Sequence, residues 1–126
     1  MKKRILVIDD DNSILDVVKE SLEYLDYEVE TNSTGENVFR LIEEYKPDLI
    51  LLDYLLNGIN GGEFCHQIKT NPTTAHIPVI MMSGFPKVFL SLGDYKSDYF
   101  ITKPFDLTEL SDKISACLGK TTLTLP

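Results

Sequence analysis

Three short, unbroken apolar runs constrain this chain more than any other feature: Ile5-Leu6-Val7-Ile8, Leu49-Ile50-Leu51-Leu52 and Val79-Ile80-Met81-Met82. Each has strand length and none alternates. A strand reads this way when both its faces are buried, as happens in a parallel sheet covered by helices on both sides. Tyr27 to Thr31 does alternate, which predicts a half-exposed strand, and Tyr99-Phe100-Ile101 predicts the last one.

Between these segments the apolar period changes to that of a helix. Asn12 or Ser13 can cap a first helix carrying Ile14, Val17, Val18, Leu22 and Leu25 on its inner stripe. Thr34-Gly35-Glu36 opens a second helix with Val38, Leu41, Ile42 and Tyr45 inward, and Pro47 breaks it. Asn57-Gly58-Ile59-Asn60-Gly61-Gly62 is turn chemistry, and a third helix is expected over Glu63 to Lys69, with Phe64, Cys65 and Ile68 inward and Asn71-Pro72 at its end. Pro86 suits a first helical turn, and Val88, Phe89, Leu90 and Leu92 predict a short fourth helix before Gly93. Asp106 and Glu109 form a capping box for a final helix with Leu107, Leu110, Ile114 and Leu118 apolar, closed by Gly119. The expected domain is 1–119, with 120–126 a loose tail.

Strands alternating with helices, joined by right-handed crossovers, predict an α/β fold: a flavodoxin-like (βα)5 three-layer sandwich around a parallel five-stranded sheet in the order 2-1-3-4-5. The 126 residues suffice for one such core and leave no room for a second domain, hence none for a DNA-binding module within this stretch. A formal charge of −8 opposes a nucleic-acid surface or an anionic membrane surface, both of which need clustered Lys and Arg. No apolar run approaches the roughly 20 residues that span a bilayer. The run after Lys2-Lys3-Arg4 is too short for a leader and ends in Asp9-Asp10-Asp11. Cys65 and Cys117 lie far apart without a paired motif, which suits a reducing, cytoplasmic setting; both read as small buried residues.

In open sheets of this kind, ligands bind beyond the carboxyl ends of the strands. Here those ends deliver Asp9-Asp10-Asp11, Asp53, Ser83-Gly84 and Thr102-Lys103-Pro104, from strands expected to be neighbours. Clustered carboxylates raise one another's proton affinity unless a divalent cation lies between them, and hard oxygen ligands favour Mg²⁺. Such a site could screen an incoming phosphoryl group and leave one carboxylate to attack it. Lys103 would neutralise one phosphoryl oxygen, Ser83 would donate to another, and Gly84 would leave space for entry. Taken singly, each feature has a plainer reading: an Asp pair before a helix is a cap, Lys-Pro is loop sequence, and a Ser ending a strand is ordinary. Only their joint placement at one sheet edge is specific. His66 and His76 lack metal-pair spacing and read as surface residues.

Ile5 to Asp11, Pro47 to Asp53, Ile77 to Gly84 and Thr102-Lys103-Pro104-Phe105 resemble the receiver domain of two-component response regulators, a similarity running from about Lys3 to Leu118. The resemblance implies that Asp53 accepts a phosphoryl group from a histidine kinase or phosphotransfer protein. It implies that Asp9, Asp10 and Asp53 hold Mg²⁺ with the backbone carbonyl of Leu55. It further implies that Ser83 and Lys103 bind the phosphoryl group, that Ser83 and Phe100 act as the switch, and that Lys103-Pro104 is a cis peptide. The resulting protein would be a switch that signals by binding a downstream partner, with self-catalysed transfer and hydrolysis only.

Some positions depart from the family pattern. Asn57 stands where a proline is usual and Asn60 where an aspartate is usual; both still make turns. Phe100 lacks the hydroxyl of the commoner tyrosine, and a simple packed strand residue is an equal reading. Leu55 and Phe85, expected to flank the phosphoryl group, cannot orient an attacking water, so phospho-Asp53 is expected to hydrolyse slowly. Phe85 to Leu92 holds one charge, Lys87, among large apolar residues. It reads as a mixture of core packing and partner surface, with homodimerisation through 85–110 one form of that contact. Two other functions compete. A haloacid-dehalogenase-like phosphatase also uses a nucleophilic Asp, Mg²⁺, Ser or Thr and Lys, but needs a second Asp where Leu55 stands. An unphosphorylated receiver-like scaffold is the least favoured reading, because every expected site residue is present.

Overall fold

The computed structural model describes residues 2–56, 59–84 and 97–119. In chain order the elements are β1 (Arg4–Ile8), α1 (Asn12–Tyr24), β2 (Glu28–Asn32), α2 (Val38–Tyr45), β3 (Leu49–Asp53), the two-residue strands β4 (Leu55–Leu56) and β5 (Ile59–Asn60), α3 (Gly61–Thr70), β6 (Val79–Ser83), β7 (Tyr99–Thr102) and α4 (Leu107–Leu118). The main sheet runs β2-β1-β3-β6-β7, with every pairing parallel. Counting only its own strands, that is the expected order 2-1-3-4-5. The short antiparallel pair β4–β5 has no counterpart in the sequence reading.

The apolar runs lack alternation because successive residues enter different layers. Ile5, Val7, Leu49, Leu51, Ile80 and Met82 face α1 and α4, meeting Leu15, Val18, Leu22, Leu110 and Ile114. Leu6, Ile8, Ile50, Leu52, Val79 and Met81 face the other way, onto Val38 and Ile42 of α2 and Cys65 and Ile68 of α3. Every side chain in the three runs is fully buried. Each such burial stabilises the fold by roughly 1.5–3 kcal/mol, and truncating one, as in Leu51→Ala, costs about 2–5 kcal/mol. The edge strand β2 buries Val29 and turns Glu28 and Glu30 outward, charges that discourage pairing with another chain.

Several helix details differ from the sequence reading. The cap of α1 is Asp11, whose side chain accepts from the Ser13 N–H; Asn12 and Ser13 are already helical. Leu15 is buried in α1, whereas Val17 and Leu25 are exposed, because the stripe facing the sheet is narrower than the apolar residues available. α2 begins at Val38, not near Thr34. The Asn32 side chain accepts from the N–H groups of Thr34 and Gly35 and holds that stretch as a turn, and Asn37 enters the helix with φ 55°. α3 starts two residues earlier than expected, at Gly61, because the Asn60 side chain accepts from the Gly62 N–H. α4 is capped by Asp106, which accepts from the Glu109 N–H, and ends at Gly119 with φ 64°. Leu107 is exposed.

The fourth helix expected at 86–93, the reading of 85–92 as a partner surface, the placement of Phe85, Asn57 and the tail 120–126 lie outside the described residues. Of the stretch 85–110 expected to carry homodimerisation, residues 85–96 lie outside them too. No helix among the described residues is long and apolar enough to cross a membrane.

Candidate functional site

The parallel register brings four strand ends together. Ile8 stands beside Leu52, Asp53 beside Met82, and Ser83 beside Thr102. The residues at or just after these ends are Asp9, Asp53, Ser83 and Lys103. Asp9 is fully buried, Asp53 is 6% exposed and Ser83 1% exposed. Asp10 is on the surface. Carboxylate oxygens of Asp9, Asp10 and Asp53 lie within 4.8 Å of one another.

Lys103 joins the cluster. Its ammonium donates to Asp9 Oδ2 at 2.7 Å and to Asp53 Oδ1 at 3.2 Å. Its backbone N–H donates to the Ser83 carbonyl at 2.8 Å, tying the ends of β6 and β7. The peptide between Lys103 and Pro104 is cis, as the resemblance implied. Asp9 is further held by the Asp11 N–H, which donates to its Oδ1, while its own N–H donates to the Asn32 carbonyl.

Electrostatics follow from this geometry. Burial, followed by the charge of Asp9, pushes the Asp53 carboxyl up to about 6, against the lowering influence of Lys103. Burial opposes the charge on Lys103, but the hydrogen bond to Asp9 and the charges of Asp53 and Asp9 outweigh it, so its pKa stands above the ordinary lysine value. Three carboxylates are thus set against one ammonium, and the cluster carries excess negative charge at neutral pH. Converging hard oxygen donors with unbalanced charge fit a divalent cation of the Mg²⁺ kind. A Cβ added at Gly84 would meet nothing within 4 Å among the described residues.

Asp9, Asp10, Asp53 and Lys103 thus fall in one place, and Ser83 is tied to Lys103 through its backbone carbonyl. Leu55 follows one residue beyond Asp53's neighbour Tyr54 and is 43% exposed. Phe100 is half-buried, packed against the cluster under α2 and α3. His66 and His76 lie on the surface. Cys65 is buried and Cys117 half-buried. The support of Asp9 by Asp11 and Asn32 is absent from the sequence reading. Asp11 had a visible signal as the residue before a helix, but the Asn32 contact is made by a backbone carbonyl and has no sequence signature.

Residues 5–115 match the family described as response regulator receiver domain, and the chain belongs to that family. It is 36% identical to the alkaline phosphatase synthesis transcriptional regulatory protein PhoP of Bacillus subtilis (strain 168), over all of this chain and 52% of that protein. It is 35% identical to the DNA-binding dual master transcriptional regulator RpaA of Synechocystis sp., over 94% of this chain and 50% of that protein. The chain spans about half the length of these curated relatives. Among solved structures, it resembles a CheY-like response regulator receiver domain protein from Methanospirillum hungatei JF-1, with a TM-score of 0.83 and 32% identity over 95% of this chain and 96% of that one. It also resembles the receiver domain of a signal transduction histidine kinase from Syntrophus aciditrophicus, with a TM-score of 0.83 and 29% identity over 97% and 94%.

Proposed function

We propose that residues 1–119 form a phosphorylation-controlled switch of a two-component phosphorelay in the cytoplasm, with Asp53 as phosphoacceptor. A single observation carries this reading: the carboxylates of Asp9, Asp10 and Asp53 converge within 4.8 Å of one another, with the Lys103 ammonium paired to Asp9 and Asp53. The donor would be a phosphohistidine of a histidine kinase or phosphotransfer protein. An Asp53 carboxylate oxygen bonds to phosphorus as the bond from phosphorus to the imidazole nitrogen breaks.

Asp9, Asp10, Asp53 and the Leu55 backbone carbonyl would hold Mg²⁺, which supplies positive charge that screens the phosphoryl oxygens from the carboxylates. The remaining work falls to side chains of this chain. Asp9, buried and anchored by two backbone contacts, holds the Lys103 ammonium beside Asp53. Lys103 compensates charge on the phosphoryl group as a fixed cation, and the Ser83 hydroxyl donates to it.

Arrival of the phosphoryl group gives Lys103 and Ser83 a new partner. Because the Lys103 N–H bonds to the Ser83 carbonyl, a shift at either residue is passed between β6 and β7, and Phe100 lies on β7. Output would travel as a change in binding of a downstream protein partner, with no direct nucleic-acid or membrane contact by this domain.

The test is acetyl phosphate treatment with Mg²⁺, read by intact mass. The wild type should gain one phosphoryl group and Asp53→Ala none. A gain in Asp53→Ala would overturn the assignment of the acceptor. Steady phosphate release from small phosphomonoesters would favour the phosphatase reading, and absence of both labelling and any Mg²⁺ response would favour the scaffold.

A further inference from the structure

Gly61 opens α3 against the end of β3. A Cβ on this residue would stand 2.0 Å from the Asp53 carbonyl oxygen, 3.0 Å from the Tyr54 carbonyl oxygen and 3.1 Å from the Asp53 carbonyl carbon. All three atoms belong to the backbone, so no side chain can rotate aside. The requirement for glycine here is one of space. Positive φ among the described glycines is confined to Gly35 and Gly119, and in a helix alanine is otherwise the better residue.

Neither side of this contact is free to retreat. The Gly61 N–H donates to the Tyr54 carbonyl at 2.6 Å, and the Tyr54 N–H donates to the Met82 carbonyl of β6 at 2.8 Å. α3 is held by the fully buried Cys65 and Ile68. Relieving a 2.0 Å contact requires a shift on the order of 1 Å, since carbon and oxygen do not approach within about 3 Å. The Asp53 Oδ1 contact to Lys103 is already 3.2 Å, at the long end of hydrogen-bonding range, and a displacement of that size would break it.

We propose that Gly61 is a positioning residue for phosphoryl capture. Its missing side chain lets α3 sit against the 53–55 segment and fixes both the Asp53 carboxylate and the Leu55 carbonyl. This rests on the reading of Asp53 as phosphoacceptor. It places a constraint on the site in an element that contributes no side chain to it.

The test compares wild type, Gly61→Ala and Asn60→Ala. Three quantities are measured: the rate of labelling by acetyl phosphate with Mg²⁺, Mg²⁺ affinity by titration calorimetry, and the urea midpoint. Asn60→Ala removes the α3 cap without adding an atom, so it serves as a control for lost stability. Gly61→Ala should label about tenfold more slowly or worse and bind Mg²⁺ more weakly, because a misplacement of about 1 Å at a reacting group costs on the order of 100-fold. Asn60→Ala should lose stability while labelling at the wild-type rate. The proposal is overturned if Gly61→Ala labels within about twofold of wild type with unchanged Mg²⁺ affinity. It is equally overturned if Asn60→Ala slows labelling as much, or if Gly61→Ala is unfolded by circular dichroism, since the glycine then serves the fold at large. A wild type that does not label refutes the phosphoacceptor reading; equal labelling of wild type and Gly61→Ala refutes only the role of Gly61.

Discussion

Replacing Asp53 by Asn should stabilise the metal-free protein at neutral and higher pH. The carboxylate is buried, faces Asp9 and Asp10, and has its pKa raised from 3.8 to about 6. The folded state therefore binds a proton between these values that the unfolded state has already released. By linkage, this contribution to stability is greatest below pH 3.8 and is lost as the pH rises through about 6. Each tenfold change in proton affinity is worth about 1.4 kcal/mol, so ionised Asp53 burdens the fold by at most about 3 kcal/mol. Water reaching this partly open site reduces that figure, and about 1–3 kcal/mol is expected. The amide introduced by Asp53→Asn cannot ionise, and Lys103 keeps its 2.7 Å partner Asp9. The assay is urea denaturation in EDTA followed by far-ultraviolet circular dichroism. The variant should exceed wild type by that amount near about pH 8, with the gap narrowing to roughly half by about pH 5 and closing only below pH 3.8. A variant less stable than wild type at the higher pH, or a gap independent of pH, would refute the electrostatic reasoning.

Mg²⁺ should raise wild-type stability by roughly 2.7 kcal/mol at a hundred times its dissociation constant, and far less in Asp53→Asn; equal stabilisation of both in thermal melts would place the ion elsewhere. Lys69 offers a contrast away from the site. Its ammonium donates to the Ile77 carbonyl and to Asp98, and Asp98 in turn accepts from the Val79 N–H. Lys69→Met should cost about 1–3 kcal/mol in urea denaturation by leaving Asp98 short of a partner, without changing the rate at which Asp53 is labelled. Leu55, exposed beside the site, offers no group to orient water, so phospho-Asp53 should survive for minutes or longer; loss within seconds with Mg²⁺ present, followed by intact mass, would contradict this.

The layers and the strand order were legible because they rest on chemistry written into consecutive residues. A run such as Leu49 to Leu52 has no polar side to turn toward water, so it must lie between two helical layers, and three such runs dictate a covered parallel sheet. Helix boundaries were less legible. Asn32 and Asn60 decide where α2 and α3 begin by folding their side chains back onto the backbone, and nothing in their identity says which of several nearby polar residues will do so. The helix stripe is narrower than its spacing suggests for a similar reason: Val17 and Leu25 are exposed, whereas Leu15, Val18 and Leu22 are buried and Ile14 packs against the same core.

The sequence by itself determined which groups stand at strand ends, since each polar residue follows directly from the apolar run before it. It also determined the excess of negative charge there. Tertiary structure alone decided that Lys103 reaches both Asp9 and Asp53 across segments 94 and 50 residues apart. It alone decided that Asp53 is buried enough to lift its pKa to about 6, and that Gly61 sits too close to the Asp53 carbonyl to admit a side chain. Distances, burial and steric closeness are properties of chain segments that meet only on folding. The residue types are fixed before folding, but the field in which each one acts comes from neighbours remote in the chain.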